Sequence, residues 1–177
     1  MKPSASAGIL LYRRRVDGRD AGAESGQADR LADSLEVLLA HPGGPYWSRQ
    51  DHGSWSVPKG IAEPDEAPEA VAAREFEEET GFALLSVARD PGQLPIDLGE
   101  VTLKSGKVIR AWAVEGDLDP ELARSNEVEI EWPPRSGLRQ VIPEVDRVAW
   151  FGVAEARRRA HPAQAEFVGR LEAALRS

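Results

Sequence analysis

The sequence predicts an α/β fold, a mixed β-sheet sandwiched between helices, and three observations carry that expectation. Segments of strand character and segments of helical periodicity alternate along the chain instead of separating into blocks. The length, 177 residues with 41% apolar and 29% charged side chains, suits one compact domain with a sizeable core. No internal repeat and no linker divides the chain, so residues 1–177 are expected to form a single domain.

Residues 6–13 predict a strand centred on Ile9, Leu10, Leu11 and Tyr12, and residues 35–40 (Leu-Glu-Val-Leu-Leu-Ala) a second, mostly buried one. Residues 14–34 between them are rich in Gly, Asp, Ala and Arg and lack a periodic apolar face. They are expected to form a long, mobile hairpin insertion. Residues 41–60 are dense in Gly, Pro and aromatic side chains, which predicts an ordered loop ending in a short strand near 55–57. A helix is expected over 68–80, because proline suits the first helical turn and Gly81 offers a left-handed cap. Ala70, Val71, Ala73 and Phe76 would supply its buried side. Strands follow at 95–103, 107–115, about 128–132 and 148–153. Helices close the chain at 154–160 and 163–176, the last with Phe167, Val168, Leu171 and Leu175 on one face.

The formal net charge of −8 argues against a long nucleic acid as partner. A small phosphorylated substrate stays open, provided divalent cations or a few local bases meet its charge. No apolar run approaches the roughly 20 residues of a membrane helix, and 8–12 is too short for the apolar core of a signal peptide. The absence of cysteine excludes disulfides and thiolate metal sites. A cytoplasmic monomer or homodimer without a membrane partner is the default expectation.

Chemistry concentrates between Gly60 and Phe82. Glu75, Glu78 and Glu79 stand at i, i+3 and i+4, which puts three carboxylates on one helical face. Like charges so placed destabilise a helix by a few tenths of a kcal/mol per pair, about the size of one i,i+4 contact. A hard divalent cation removes that repulsion and bridges carboxylates to phosphate. The alternative is a solvated acidic face in which Arg74 pairs with Glu78. Spacing decides between them. Gly60 is followed after five residues by Glu66, and seven more lead to Arg74-Glu75-Phe76. One free position later come Glu78-Glu79, then another free position and Gly81-Phe82.

This resembles the Nudix box at every specified position, over a long gap-free match. The resemblance implies the Nudix fold, with the box as a loop–helix–loop. It implies Mg²⁺- or Mn²⁺-dependent hydrolysis of a nucleoside diphosphate linked to another group X. Glu75, Glu78 and Glu79 would bind metal, and one of them would deprotonate the attacking water. The backbone carbonyl at Lys59 or Gly60 would complete the metal shell. Arg74 would orient the glutamates, while Gly60, Glu66 and Gly81 would shape the loop.

Ahead of the box, Trp55-Ser56-Val57-Pro58-Lys59-Gly60 resembles the dinucleoside polyphosphate hydrolase branch, in which Lys59 would meet phosphate. The stretches His41-Pro42-Gly43-Gly44-Pro45-Tyr46-Trp47 and Glu131-Trp132-Pro133-Pro134-Arg135-Ser136-Gly137 are similar to a bacterial Nudix subgroup of nucleoside triphosphate pyrophosphohydrolases. Trp47, Trp55 and Trp132 are candidates for stacking on a base, with core packing as the alternative for each. Trp112 and Trp150 lie in apolar strands and are expected to pack. The three histidines lack ligand spacing and receive no role. Many Nudix enzymes draw a further acid from a loop before a late strand, which here points to Glu144, six residues before Trp150. A surface pair with Arg147 is its alternative, and Glu127, Glu129 and Glu131, on one face of an edge strand, are rivals for the role. The substrate expectation is a dinucleoside polyphosphate or nucleoside triphosphate. ADP-ribose-like sugar nucleotides, diphosphoinositol phosphates and a non-catalytic nucleotide sensor are the alternatives.

Overall fold

The computed structural model describes residues 5–15 and 34–177. The expected insertion at 14–34 lies, apart from its end residues, outside the described residues. β1 (Ala5–Arg14) is the organising strand. Its C-terminal part pairs antiparallel with β2 (Leu35–Pro42), with Tyr12 opposite Val37. Its N-terminal part pairs antiparallel with β3 (Lys59–Ile61), with Ala7 opposite Gly60. Its other edge runs parallel to β5 (Val108–Glu115) from Ala5 to Tyr12. β4 (Ile96–Thr102) lies antiparallel to β5, and β8 (Val145–Gly152) antiparallel to β2. The sheet order is β4-β5-β1-β2-β8, with β3 also on β1. Parallel and antiparallel pairings in one sheet make it mixed.

Alternation along the strands sorts the apolar side chains into two cores. Ala7, Ile9 and Leu11 pack with Leu38 and Ala40 against Val71, Ala72 and Phe76 of α1 (Pro68–Thr80). Leu10, Tyr12, Val37 and Leu39 face the other way. There they meet α3 (Val153–Arg159) and α4 (Ala165–Arg176) through Ala156, Phe167, Val168 and Leu171. Covered on both faces, β1 is buried without interruption from Ser6 to Tyr12, as a strand between two layers must be.

Helix α1 starts and ends where the sequence predicts. Pro68 opens it, and Gly81 closes it at φ 79°, its N–H donating to Glu77 O at 2.7 Å. The expected buried face is rotated, however. Ala70 is exposed and Ala73 half-buried, whereas Ala72, Glu75 and Glu79 turn inward with Val71 and Phe76. The expectation placed Ala70 and Ala73 beside Val71 and Phe76, and the buried stripe takes Ala72 and two of the box glutamates in their stead. Residues 55–57 form only isolated bridges, to Ala40 and Ala160, and the ladder resumes at Lys59. A short helix α2 (Leu84–Val87) and a 3₁₀ turn at Pro120–Leu122 complete the connections. Beyond the main sheet, β6 (Glu127–Glu131) and the unforeseen β7 (Arg139–Pro143) form a separate hairpin.

Candidate active site

One side of α1 rests on the start of β3, and this contact builds the site. Glu75 and Glu79 are 7% and 5% exposed, one helical turn apart, while Glu78 faces solvent. A Cβ on Gly60 would fall inside the Glu75 carboxyl group. Glycine is needed there for close approach, not for its freedom of rotation. Next to it, Lys59 N donates to Glu79 Oε2 at 3.1 Å. The first two residues of β3 thus each meet one buried glutamate.

Arg74 ties the acidic set together. Its Nε and Nη2 donate to Glu66 at 2.9 Å each, and Nη1 donates to Glu75 at 2.8 Å and Glu78 at 3.3 Å. Glu66 also accepts from Glu63 N at 3.1 Å, which closes the loop ahead of the helix. At the far end, Gly81 lies under the Arg124 carbonyl, 2.8 Å from where a Cβ would stand. The Arg74 hydrogen bonds hold Glu66 below the usual carboxylate range. Burial raises Glu75, with Arg74 opposing and Glu78 and Glu144 adding to the rise. Glu79 is pushed up to about 8 by burial, against the pull of Lys59, with Glu144 and Glu75 adding their repulsion. Two carboxyl groups are therefore held where their charged forms are disfavoured, a frequent mark of functional sites.

Glu144, at the corner between β7 and β8, is half-buried, and its charge acts on both Glu75 and Glu79. The alternative pairing with Arg147 is absent among the described residues: Arg147 is engaged by Asp146 at 3.3 Å and Asp51 at 3.7 Å. The rivals Glu127, Glu129 and Glu131 occupy the exposed face of β6. Glu129 pairs with Arg139 at 3.1 Å and Glu131 accepts from Gly137 N at 2.7 Å. Glu127 joins Glu79, Arg124 and Arg147 in lining a cavity of about 400 Å³.

The donor chemistry fits a hard divalent cation, since every candidate ligand is oxygen and two are buried carboxyls that a cation would stabilise. Among the described residues, no three acidic or histidine side chains are gathered to hold an ion as they stand. The Arg74 guanidinium is paired with Glu66, Glu75 and Glu78. Burial divides the expected three-carboxylate face, with Glu78 exposed and Glu75 and Glu79 buried.

Trp55, a candidate for stacking on a base, is buried. It is 2% exposed, packed edge-on against His41 and Phe151 at 5.1 and 4.8 Å, and its Nε1 donates to Asp51 at 3.0 Å. The Arg147 guanidinium lies over its ring, 5.1 Å from the centroid. Trp47 and Trp132 are both half-buried. Trp47 stands edge-on to Tyr46 at 4.8 Å. The loop bearing this pair packs on the hairpin, since Gly44 abuts Ile142 and Ile130. The two proline-rich aromatic stretches are therefore carried by adjoining segments. Trp112 is buried, and half-buried Trp150 donates its Nε1 to Leu118 O at 3.1 Å.

Sequence reasoning missed a basic margin. Lys107 precedes β5 on the Ile109 side, the side that Lys59 also takes opposite Gly8. Burial lowers the Lys107 pKa, Lys59 adds to the fall, and Glu75 and Glu79 oppose it. His161, to which no role was assigned, is lowered by burial and then by Lys59 and Lys104. Among the described residues, Ser6 Oγ, buried on the same side of β1, has no hydrogen-bond partner. The signal in the sequence was Lys104-Ser105-Gly106-Lys107, a basic turn that only the parallel β1–β5 pairing brings to the box.

The family model for the NUDIX domain matches residues 30–171. No curated protein matches the chain. Among solved structures, the binary complex of the C. elegans Ap4A hydrolase is similar at 18% identity. That match covers 97% of this chain and 98% of that one, with a TM-score of 0.60. The NUDIX domain of Shewanella oneidensis NrtR, complexed with ADP ribose, is 14% identical over 99% of this chain and 90% of that one, with a TM-score of 0.58. A Nudix hydrolase from M. smegmatis is 22% identical over 98% and 86%, with a TM-score of 0.52. At such identities these likenesses establish the fold. The chain belongs to the Nudix family, and its enzyme class is that of the Nudix pyrophosphohydrolases. No helix among the described residues is long and apolar enough to cross a membrane.

Proposed function

We propose that this enzyme hydrolyses a phosphoanhydride bond in a nucleoside diphosphate linked to X, with dinucleoside polyphosphates ahead of nucleoside triphosphates. The observation that carries the proposal is the convergence of Glu75, Glu79 and Glu144, drawn from α1 and a corner 65 residues away, beside Lys59 and Lys107. The carboxylates of Glu75, Glu78 and Glu79 and a carbonyl at Lys59 or Gly60 would hold Mg²⁺ or Mn²⁺. When bound, the ion would neutralise phosphate charge and lower the pKa of the attacking water. Lys59 and Lys107 would bind the phosphate oxygens as point charges, which an acidic protein needs locally. Arg74 would keep the glutamates aimed, and Glu144 or a box glutamate would take the water proton. Trp47 and Trp132 would flank the base.

A second reading, an ADP-ribose-like sugar nucleotide as substrate, is supported by the likeness to the NrtR domain that carries ADP ribose. The test is a panel of diadenosine polyphosphates, nucleoside triphosphates and ADP-ribose with Mg²⁺ or Mn²⁺, with products separated by ion exchange. The proposal expects diadenosine polyphosphates to be split fastest, with a nucleoside triphosphate among the products. Preferred release of pyrophosphate from triphosphates, or preferred cleavage of ADP-ribose, would replace that substrate. No turnover with any nucleotide would leave a sensor.

A further inference from the structure

The turn that leaves β2 contains a glycine whose place is dictated by Glu144. The β2–β8 register slips between His41 and Pro42, which brings Gly43 against the β7–β8 corner. There Gly43 N donates to Glu144 O at 2.9 Å. A Cβ on Gly43 would overlap the Pro143 carbonyl oxygen and lie 3.0 Å from its carbonyl carbon. Both atoms belong to the peptide that leads into Glu144. The same corner is held from the side of α1. Asn126 N donates to Glu78 O at 2.8 Å, and Glu144 N donates to Asn126 O at 3.0 Å. Ser125 Oγ accepts from Val145 N at 3.0 Å. The main chain of Glu144 is thus gripped between the helix that bears the box glutamates and a glycine turn four residues ahead of Trp47.

The geometry points to Gly43 as a positioning residue: by letting the 143–144 peptide close onto the turn, it sets how far the Glu144 carboxylate reaches towards Glu75 and Glu79. This inference rests on Glu144 belonging to the active site, as proposed above. Any side chain at position 43 must push that peptide back, and a misplacement of about 1 Å at a reacting group costs roughly 10²-fold in rate. Ser125 holds the corner through Val145 N, a hydrogen bond in which Gly43 takes no part, so it offers an independent handle.

A mutant cycle tests this, with Gly43→Ala, Glu144→Gln and their combination assayed on the best substrate of the nucleotide panel. Crystal structures of the wild type and Gly43→Ala supply a second readout. Gly43→Ala is expected to lower kcat by about tenfold or more, with the KM changed far less, and the double variant should be no slower than Glu144→Gln alone. In the crystal, the 143–144 peptide should be displaced from the turn at position 43. Ser125→Ala should give a smaller loss with the same non-additivity, and it carries the test if Gly43→Ala does not fold. Losses that multiply in the double variants, or an unmoved Glu144 in the crystal, would overturn the positioning role while leaving Glu144 in the site. Full turnover in Glu144→Gln by itself would remove Glu144 from the site, and Gly43 with it.

Discussion

At Glu79, burial and charge pull in opposite directions. The residue is 5% exposed, and its carboxyl pKa is pushed up to about 8 from an ordinary 4.5, chiefly by burial. Below pH 4.5 the group is protonated in both folded and unfolded chains, and its burial carries no titration penalty. Between about 4.5 and 8 the unfolded chain has released the proton that the folded chain keeps, so stability falls as pH rises. Metal-free protein should therefore melt at progressively lower temperature from about pH 5 to pH 8, and Glu79→Gln should flatten that decline. Differential scanning calorimetry in EDTA measures it, and an unchanged slope in the variant would contradict the assignment. The same substitution should lower turnover by roughly 10²-fold or more, because the charge aimed at the reaction is gone. A variant more stable at pH 8 and nearly inactive is the joint expectation. At this scale the identity of the acids was legible in the sequence, since Glu75, Glu78 and Glu79 stand at box spacing. Their division into two buried and one exposed was not. It follows from which side of α1 meets β3, a tertiary fact that the Ala-rich stretch around position 70 obscured.

At the scale of elements, the contact of α1 with β3 is the most exacting in the site. Gly60→Ala would set a methyl group into the space of the Glu75 carboxyl, which would have to leave its bond to Arg74. The fold should survive, because the displaced atoms are the end of a flexible side chain. Activity should fall by roughly 10²-fold through misplacement. Circular dichroism beside steady-state kinetics checks both halves, and a variant that folds and turns over normally would show that Glu75 need not stay where it is. Helix α1 itself was legible to the residue, since proline at its start and a left-handed glycine at its end are local signals. β7 was not. Its sequence, Arg-Gln-Val-Ile-Pro, lacks alternation, leaves Val141 exposed, and becomes a strand only through pairing with β6. Residues 55–57 misled for the opposite reason: an apolar stretch of strand character is spent on core packing, and the paired strand starts later, at Lys59.

For the molecule as a whole, the sheet gathers groups far apart in sequence. β1 holds β3 on one edge and β5 on the other, so the box, the basic turn at 104–107 and the Glu144 corner converge around its first residues. The parallel β1–β5 pairing is invisible to local patterns, which is why Lys107 went unnoticed while the box stood out. This architecture concentrates negative charge in a protein already at −8, and if the carboxylate cluster holds the ion as proposed, stability should respond to divalent cations in a pH-dependent way. Ions that bind only the folded state stabilise it by mass action, and they bind carboxylates in competition with protons. At pH 6 Glu79 is mostly protonated when metal-free, so binding there must also displace a proton. At pH 8 it is about half ionised, and binding is stronger. The rise in melting temperature on replacing EDTA by millimolar Mg²⁺ should therefore be larger at pH 8 than at pH 6, and it should shrink in Glu79→Gln at both. Screening of the acidic surface would act differently, because it follows ionic strength and has no reason to single out one buried carboxyl. A matched increment of NaCl separates the two causes. If NaCl reproduces the Mg²⁺ effect, or if Glu79→Gln responds to Mg²⁺ as the wild type does, the stabilisation arises from the surface and the carboxylate cluster does not bind the ion.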